Sequence, residues 1–281
     1  MLRLALATTG LLVGLLILER LLPLRARRAS FGLRLGVNLA MAALAYALSG
    51  LVISPLVHRV TSLADDRPFG LLRWLTLPRP VGLGVALVAM DLSFYYWHRL
   101  NHRLPILWRF HNVHHLDPDL DVTTAVRFHF GEILMSTVFR AVQVSLLGVS
   151  AGAYVLYESL LQAANLFHHS NLRLPIALER ALNLVLVTPR MHGIHHSEIE
   201  GEANSNYSVV FSFWDRLHRS LCLGVPQADV VVGVPGYREP GDNALLAALT
   251  HPFRRQRDYW LRQDGTRPRR EPRPRVGRLS E

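Results

Sequence analysis

Long apolar segments separated by short charged clusters dominate the pattern along this 281-residue chain. The clearest is 35–57, whose 23 positions carry no charged side chain. A helix of that length can cross the hydrocarbon core of a bilayer, which is about 30 Å thick. Residues 4–18 are also apolar and are followed by several Arg residues. That order favours a retained membrane helix, with its N-terminus outside, over a cleaved signal peptide.

Two further apolar stretches, 81–97 and 133–167, predict the rest of the membrane part. As a single helix, 133–167 would be about 52 Å long, which is too long for one crossing. The small residues at 148–152 therefore predict a hairpin of two helices. A hairpin returns the chain to the side of the membrane on which it began, so the segments before and after it should meet.

The composition agrees with a membrane protein and argues against a nucleic-acid-binding one. Half of the residues are hydrophobic, and the net charge is +10. The Arg residues lie beside the apolar segments and in the tail, where they would contact anionic lipid on the cytoplasmic side. Since no recognised nucleic-acid-binding motif accompanies the charge, we expect no nucleic-acid partner.

The scarcity of two residue types limits the chemistry. Cys222 is the only cysteine, which excludes an internal disulfide and a Cys-x-x-Cys site. All 31 residues counted as Lys or Arg are Arg, which excludes a Schiff-base lysine and with it covalently held retinal or pyridoxal. Metal chemistry in this chain must therefore rest on nitrogen and oxygen ligands.

Histidines recur at intervals of three and four residues, which places them on one side of a helix. The motif H-x-x-H-H occurs twice, although chance predicts about 0.03 copies in a chain with this many histidines. A further H-x-x-x-H precedes them. Eight imidazoles exceed the needs of one zinc ion, which indicates two metal ions. The candidate ligands from these motifs are His98, His102, His111, His114, His115, His192, His195 and His196.

Asp91 and Tyr95 lie on the same helical stripe as the first two histidines. A carboxylate at membrane depth is costly without a partner, so Asp91 is a functional candidate. We expect it to accept the second N–H of a ligand histidine. The alternative is a buried aspartate bonded to a neighbouring helix. The aromatic run Tyr95, Tyr96 and Trp97 is expected at the substrate mouth of the site.

Four motifs together identify a family resemblance: Asp91-x-x-x-Tyr95-x-x-His98-Arg99-x-x-His102, Trp108-x-x-His111-x-x-His114-His115, Phe167-His168-His169-Ser170-Asn171 and Thr188-Pro189-x-x-His192-x-x-His195-His196. They closely resemble the sterol desaturase and fatty acid hydroxylase superfamily of integral-membrane, non-haem di-iron enzymes, over about residues 85–221. The closing segment departs from the family, because Trp214-Asp215-Arg216-Leu217 is followed by His218-Arg219-Ser220 where Phe-Gly-Thr is typical.

The resemblance implies a ligand set for two iron ions: His98, His102, His111, His114, His115, His169, His192, His195 and His196. His168 is adjacent to His169 and would point about 100° away from it on a helix. His129 could be a tenth ligand or could support a ligand, and Asn171 belongs to the same supporting group. His218 and His251 are expected at the surface.

The activity implied is hydroxylation of a lipid C–H bond with O₂. A desaturase on the same scaffold and a non-catalytic metal-binding membrane protein are the alternatives. Electrons must come from outside, because the chain has no G-x-G-x-x-G fingerprint and no cysteine set for an iron–sulfur cluster. The implied donor is a ferredoxin- or cytochrome-type protein with its reductase.

The expected fold is all-α, an integral membrane helical bundle with a cytoplasmic, histidine-lined di-metal site, in a bacterial inner membrane or its equivalent. Residues 1–80 would form the N-terminal membrane helices and an outer loop, and 81–225 the catalytic domain. Residues 226–281 would form a polar C-terminal segment. Its Arg- and Pro-rich tail, from Arg262 onward, is expected to be disordered.

Overall fold

The computed structural model describes residues 2–53, 55–56, 59 and 69–270. Within those residues the chain is helical and contains no β-strand, although three isolated β-bridges join neighbouring loops. The prediction of an all-α fold is confirmed. The helices are α1 Leu2–Leu21, α2 Phe31–Leu48, α3 Leu71–Trp74, α4 Arg79–Arg103, α5 Pro105–His115, α6 Phe130–Leu147, α7 Ala151–His169, α8 Ile176–Asn183, α9 Pro189–His195, α10 Glu200–Ala203, α11 Phe213–Leu217 and α12 Leu245–Thr250.

Three helical segments are long and apolar enough to cross a membrane: Phe31–Val52, Arg79–Arg103 and Phe130–Leu147. Many of their large apolar side chains face outward, including Leu39, Leu83 and Val138. Outward-facing apolar side chains of this kind suit a lipid environment, in which the outside of a helix need not be polar. The prediction of an integral membrane helical bundle is confirmed.

The first histidine motif lies on an apolar helix that continues without a break to Arg103. That helix, α4, ends where Leu104 precedes Pro105, because a residue before proline disfavours the α conformation. Leu104 is extended, and Pro105 opens α5 at a position where a missing N–H costs nothing. The second histidine motif is therefore on a separate helix that turns back onto the first.

The predicted hairpin is present as α6 and α7. Gly148 ends α6 in the left-handed conformation (φ 68°), and the Ser150 side chain caps α7 by accepting from the Ala153 N–H. The Gly148 backbone also packs so tightly against the segment before α3 that a Cβ on Gly70 would overlap Gly148, and a Cβ on Gly148 would overlap the Phe69 carbonyl oxygen. Because α6 begins at Phe130, just after its cap His129, and α7 ends at His169, the hairpin returns the chain to the level of the first histidines.

A buried ionic cluster anchors α2 to the loop after α5. Arg34 pairs with Asp117 at 2.5 Å and with Asp121 at 2.7 Å, and Asn38 donates to Asp117. Burial alone would raise the pKa of Asp117, but the pairing with Arg34 outweighs it and holds that pKa below its usual range. Every charge in this cluster has a partner, so its role is structural.

The start of the C-terminal tail corrects one expectation. Residues 262–270, expected to be disordered, lie against the protein and pair with acidic side chains. Arg270 contacts Glu202 at 2.6 Å, and Arg262 pairs with Glu198. The acidic residues that follow the last histidine motif compensate the charge of the tail, and composition alone hides this. The rest of the tail, 271–281, lies outside the described residues.

Candidate metal centre

Nine histidines form two groups, and they are the nine that the family resemblance implied. In each group the nearest nitrogen atoms all lie within 4.8 Å of one another, which is close enough to share one metal ion. All are buried or nearly so. The first group is His98, His102, His111, His115 and His195; the second is His114, His169, His192 and His196.

Each of the two H-x-x-H-H motifs contributes histidines to both groups. His111 and His115 belong to the first group, whereas His114, between them in sequence, belongs to the second. In the other motif His192 and His196 belong to the second group, and His195 to the first. Successive helical residues point about 100° apart, so the fourth and fifth positions of such a motif cannot face the same centre.

The two groups are in contact. The rings of His115 and His196 stack with centroids 4.3 Å apart, and those of His114 and His196 meet at 4.8 Å. The prediction that the two H-x-x-H-H motifs, 111–115 and 192–196, converge is therefore confirmed by their geometry. Two ions held in these groups would be neighbours.

The tautomers in the second group fit a bound cation. His114 and His169 each direct Nδ1 at a backbone carbonyl, of Arg127 at 3.2 Å and of Asn165 at 2.8 Å. Both Nδ1 atoms must therefore carry the proton, which leaves a lone pair on each Nε2. Yet these two Nε2 atoms lie only 2.9 Å apart. Two lone pairs at that distance repel each other unless a cation lies between them.

The first group also fits a bound metal ion, as its hydrogen bonds and its unpaired nitrogen atoms in the described chain indicate. His98 and His195 direct Nδ1 at the carbonyls of Tyr207, at 2.8 Å, and Ser205, at 2.7 Å. The Nε2 atoms of His111, His115 and His195 are buried and have no hydrogen-bond partner among the described residues. Buried polar atoms are rarely left in this state, and a metal ion would satisfy all three.

Burial keeps these imidazoles neutral. Desolvation, followed by repulsion from neighbouring imidazoles, lowers the pKa of His115, His192 and His196 well below the usual value of 6.5. Burial also lowers the pKa of His195 to about 3. A neutral imidazole is the form that binds metal. The donor set is all nitrogen, which suits iron, copper or zinc.

Comparison with known proteins places this site in a family. Residues 83–220, which include all nine histidines, match the model of the fatty acid hydroxylase family. Residues 83–220 belong to the fatty acid hydroxylase family. The chain is 30% identical over 172 residues to the ornithine lipid hydroxylase OlsE of Rhizobium tropici, which covers 61% of this chain and 50% of that protein. No solved structure matches the chain.

Two further relatives carry related names. A cholesterol 25-hydroxylase-like protein of Danio rerio is 31% identical over 142 residues, which is 50% of this chain and 55% of that protein. The alkylglycerol monooxygenase of Homo sapiens is 28% identical over 168 residues, which is 60% of this chain and 33% of that protein. The chain thus spans about half the length, or less, of these curated relatives. By their names they are lipid hydroxylases and monooxygenases.

The prediction that Asp91 accepts the N–H of a ligand histidine is wrong. Its carboxylate accepts hydrogen bonds from the Tyr157 hydroxyl at 3.1 Å, the Phe211 N–H at 3.0 Å and the Trp214 indole N–H at 2.9 Å. These donors belong to α7 and to the segment after α9. The alternative, a buried aspartate bonded to neighbouring elements, is correct.

Three other supporting candidates have structural partners. His129 caps α6, because its Nδ1 accepts from the Gly131 N–H while Nε2 pairs with the Leu249 carbonyl; it belongs to neither group. Asn171 bonds both the N–H and the carbonyl of Arg25. His168 packs its ring 4.1 Å from that of His192 and also lies outside both groups.

Glu132 was missed at the sequence level. Its Oε1 atom lies 2.7 Å from the Nδ1 atom of His111, and both side chains are buried. The two residues are 21 positions apart and on different helices, so no spacing rule connects them. The one available signal was an acidic residue in the first turn of an apolar helix.

The aromatic run divides between core and surface. Tyr95 is fully buried and bonds Ser220, and Trp97 stacks on Phe139. Tyr96 is 45% exposed and meets His218 with an oxygen-to-Nε2 distance of 2.7 Å. His218 also stacks on the Tyr95 ring, so it is not a free surface residue as expected.

His251 corrects the same expectation. It is buried, and its Nε2 accepts from the side-chain amide of Asn112 at 2.9 Å. Asn112 lies on α5 between His111 and His114, so His251 packs behind the second histidine motif.

Proposed function

We propose that this protein is a membrane-bound di-iron oxygenase that hydroxylates a C–H bond of a lipid with O₂ and external electrons. The observation that carries the proposal is the pair of touching all-histidine groups at one end of apolar helices, in a chain whose relatives are named lipid hydroxylases and monooxygenases. The buried nitrogen atoms that have no hydrogen-bond partner in the described part of the chain support two bound ions rather than a self-satisfied core.

Five histidines would hold one iron and four the other. Bound iron would supply the redox chemistry for oxidising a C–H bond, which zinc lacks. The residues of the chain hold the imidazoles in place through backbone carbonyls, exclude water by burial and keep the nitrogen atoms unprotonated. His114 is the one ligand that α5 contributes to the second group, so its loss should abolish turnover.

The site is proposed to lie on the cytoplasmic side. The end of α1 and the start of α2 are at the same end of the molecule as the histidines, since Glu19 accepts from the N–H groups of Val122 and Asn171. Arg20, Arg25, Arg27 and Arg28 lie in this connection. Clustered arginines between membrane helices favour the cytoplasm.

A lipid substrate would reach the site from the bilayer. The substrates in the relatives' names, an ornithine lipid, an alkylglycerol and a cholesterol, share a large apolar body. Tyr96, exposed on α4 two residues before His98, is proposed to lie at the mouth, with Trp97 beside it and the buried Tyr95 supporting them from the core. The electron donor is proposed to be a ferredoxin- or cytochrome-type protein with its reductase.

Comparative lipidomics tests the proposal. Cells that express the protein aerobically with iron should accumulate a lipid heavier by one oxygen atom, and cells with His114→Ala should not. Asp264→Ala is the control, since Asp264 is exposed and belongs to neither group. A lipid lighter by two hydrogen atoms would instead establish the desaturase. Unchanged lipids with full iron content would favour the non-catalytic metal-binding protein and overturn the proposal.

A further inference from the structure

We infer that Glu132 is a positioning residue of the first histidine group and that it makes the two metal positions unequal in affinity. The inference rests on the proposed two-metal centre. Glu132 takes the role that the sequence suggested for Asp91, and it does so from another helix.

The contact with Glu132 determines which ring nitrogen of His111 carries the proton. An ionised carboxylate can only accept a hydrogen bond, so the His111 Nδ1 atom, 2.7 Å from Glu132, carries the proton. The lone pair is then on Nε2, which is buried and without a hydrogen-bond partner in the described chain. A carboxylate behind a ligand histidine both orients the ring and strengthens it as a donor.

Neighbouring residues place Glu132 where it can act. His129 caps α6 through the Gly131 N–H, which begins the helix at this point. Gly131 lies directly against the Phe110 ring, and a Cβ there would overlap that ring. The first turn of α6 therefore approaches α5 closely enough for Glu132 to reach His111. The positive end of the α6 dipole also favours a carboxylate in this turn.

The other orienting contacts are of a weaker kind. The Nδ1 atoms of His98, His195, His114 and His169 all face neutral backbone carbonyls. The second group contains two of these contacts and no carboxylate contact is seen there among the described residues. The first group thus combines five imidazoles with a negative charge, and the second has four imidazoles alone. We expect the first position to bind metal more tightly.

Chelator competition on the whole protein tests this. Purified protein in nanodiscs is loaded with two equivalents of Co²⁺, and retained metal and the visible Co²⁺ absorption are followed as chelator is added. The wild type should release its metals in two steps. Glu132→Ala should shift the later step about 10- to 100-fold toward lower chelator and leave the other in place. Glu132→Gln, which keeps an acceptor but not the charge, should fall between them.

Glu158→Gln is the matched control, because Glu158 pairs with Arg140 within the same hairpin and away from the histidines. Two separate steps in the wild type with no shift in Glu132→Gln or Glu132→Ala would overturn the inference and leave the proposed function intact. A wild type that binds fewer than two ions would overturn the two-metal centre itself. If Glu132→Ala fails to fold, Glu132→Gln decides.

A different observation supports a second inference: we propose that α8 and the residues after it contact lipid acyl chains. In α8 and the residues after it, polar side chains are buried and apolar ones face outward, although Arg180 is also exposed. Glu179 and Asn183 are buried, and Glu179 pairs with Arg190 at 2.8 Å. Leu184 (66% exposed) and Leu217 (68%) face outward, together with Leu178 and Val185. A helix with polar residues inside and leucines outside is stable beside lipid and unfavourable in water.

The depth of this patch along the membrane helices supports the proposed contact with lipid. Residues 185–187 pair with 210–212 through the Val187 N–H and the Ser212 N–H. The Phe211 N–H in turn donates to Asp91, which lies midway along the candidate membrane helix Arg79–Arg103. The chain therefore re-enters the membrane after the histidine level, and Asp91 satisfies a backbone donor that lipid could not.

Spin labels measure this directly in nanodiscs. In a Cys222→Ser background, a label at Leu184→Cys should be relaxed by O₂ more than by a water-soluble nickel complex, with Leu178→Cys as a second site. The matched control is Gly201→Cys, where a Cβ meets no neighbouring atom and polar residues surround it; its label should prefer the nickel complex. Preference for nickel at both leucine positions would overturn the proposal.

Discussion

Two buried polar clusters lie at the same end of the helix bundle, and they differ in how their polar atoms are satisfied. In the ionic cluster, Arg34 is fully engaged by Asp117, Asp121 and the loop around them. In the histidine groups, buried nitrogen atoms find no hydrogen-bond partner within residues 2–53, 55–56, 59 and 69–270, or two nitrogen lone pairs face each other. A self-satisfied cluster holds a fold together, whereas an unsatisfied one is built for a ligand.

The largest expected effect comes from breaking the satisfied cluster. Asp117→Ala leaves the Arg34 guanidinium buried with an incomplete set of partners, which should cost about 3–5 kcal/mol of folding free energy. Denaturation in detergent, followed by tryptophan fluorescence, measures this. Asp264→Ala, at an exposed position, should stay within about 0.5 kcal/mol of the wild type. Equal stabilities of the two variants would refute the structural role.

Pairs of histidine variants test how the histidines of each motif divide between the two groups. His114→Ala combined with His192→Ala removes two ligands of one group, so the protein should retain one metal ion. His114→Ala combined with His111→Ala removes one ligand from each group and should weaken both ions. Metal analysis of purified protein after mild chelation distinguishes the pairs. Identical metal content in both double variants would contradict the grouping.

Metal removal should destabilise the protein, because chelation exposes the repulsion between the His114 and His169 lone pairs. With metal at 100 to 1,000 times its dissociation constant, the loss is about 2.7–4.1 kcal/mol. Thermal unfolding before and after chelation, and after metal is restored, measures it. A melting temperature that changes neither on chelation nor when metal is restored would show that the imidazole nitrogen atoms form hydrogen bonds with one another and need no metal.

The smallest expected effect concerns His251, a buried histidine whose nitrogen has a partner. Burial, followed by Arg257 and His129, lowers its pKa to about 4. The unfolded state therefore takes up a proton first, and stability should fall as the pH falls from about 6.5 toward 4. His251→Gln should reduce that loss by about 1–3 kcal/mol. Parallel pH profiles for the two proteins would contradict this.

Most of the fold followed from local patterns. Apolar runs predicted the three candidate membrane helices, and the small residues at 148–152 predicted the hairpin turn that Gly148 and Ser150 form. The tail could not be read in the same way. Arg262 and Arg270 appear disordered by composition, and only the folded chain brings Glu198 and Glu202 to them.

Histidine spacing alone determined eight of the nine histidines that gather, because helical spacing is a local property, and the family resemblance added His169. The tertiary structure decided how they divide, since the 100° rotation per residue sends His114 and His195 to opposite groups from their motif neighbours. It also decided that Glu132 contacts His111, while Asp91 accepts a hydrogen bond from the Phe211 backbone. A side chain's partner across helices depends on packing, and no spacing along one chain segment encodes that packing.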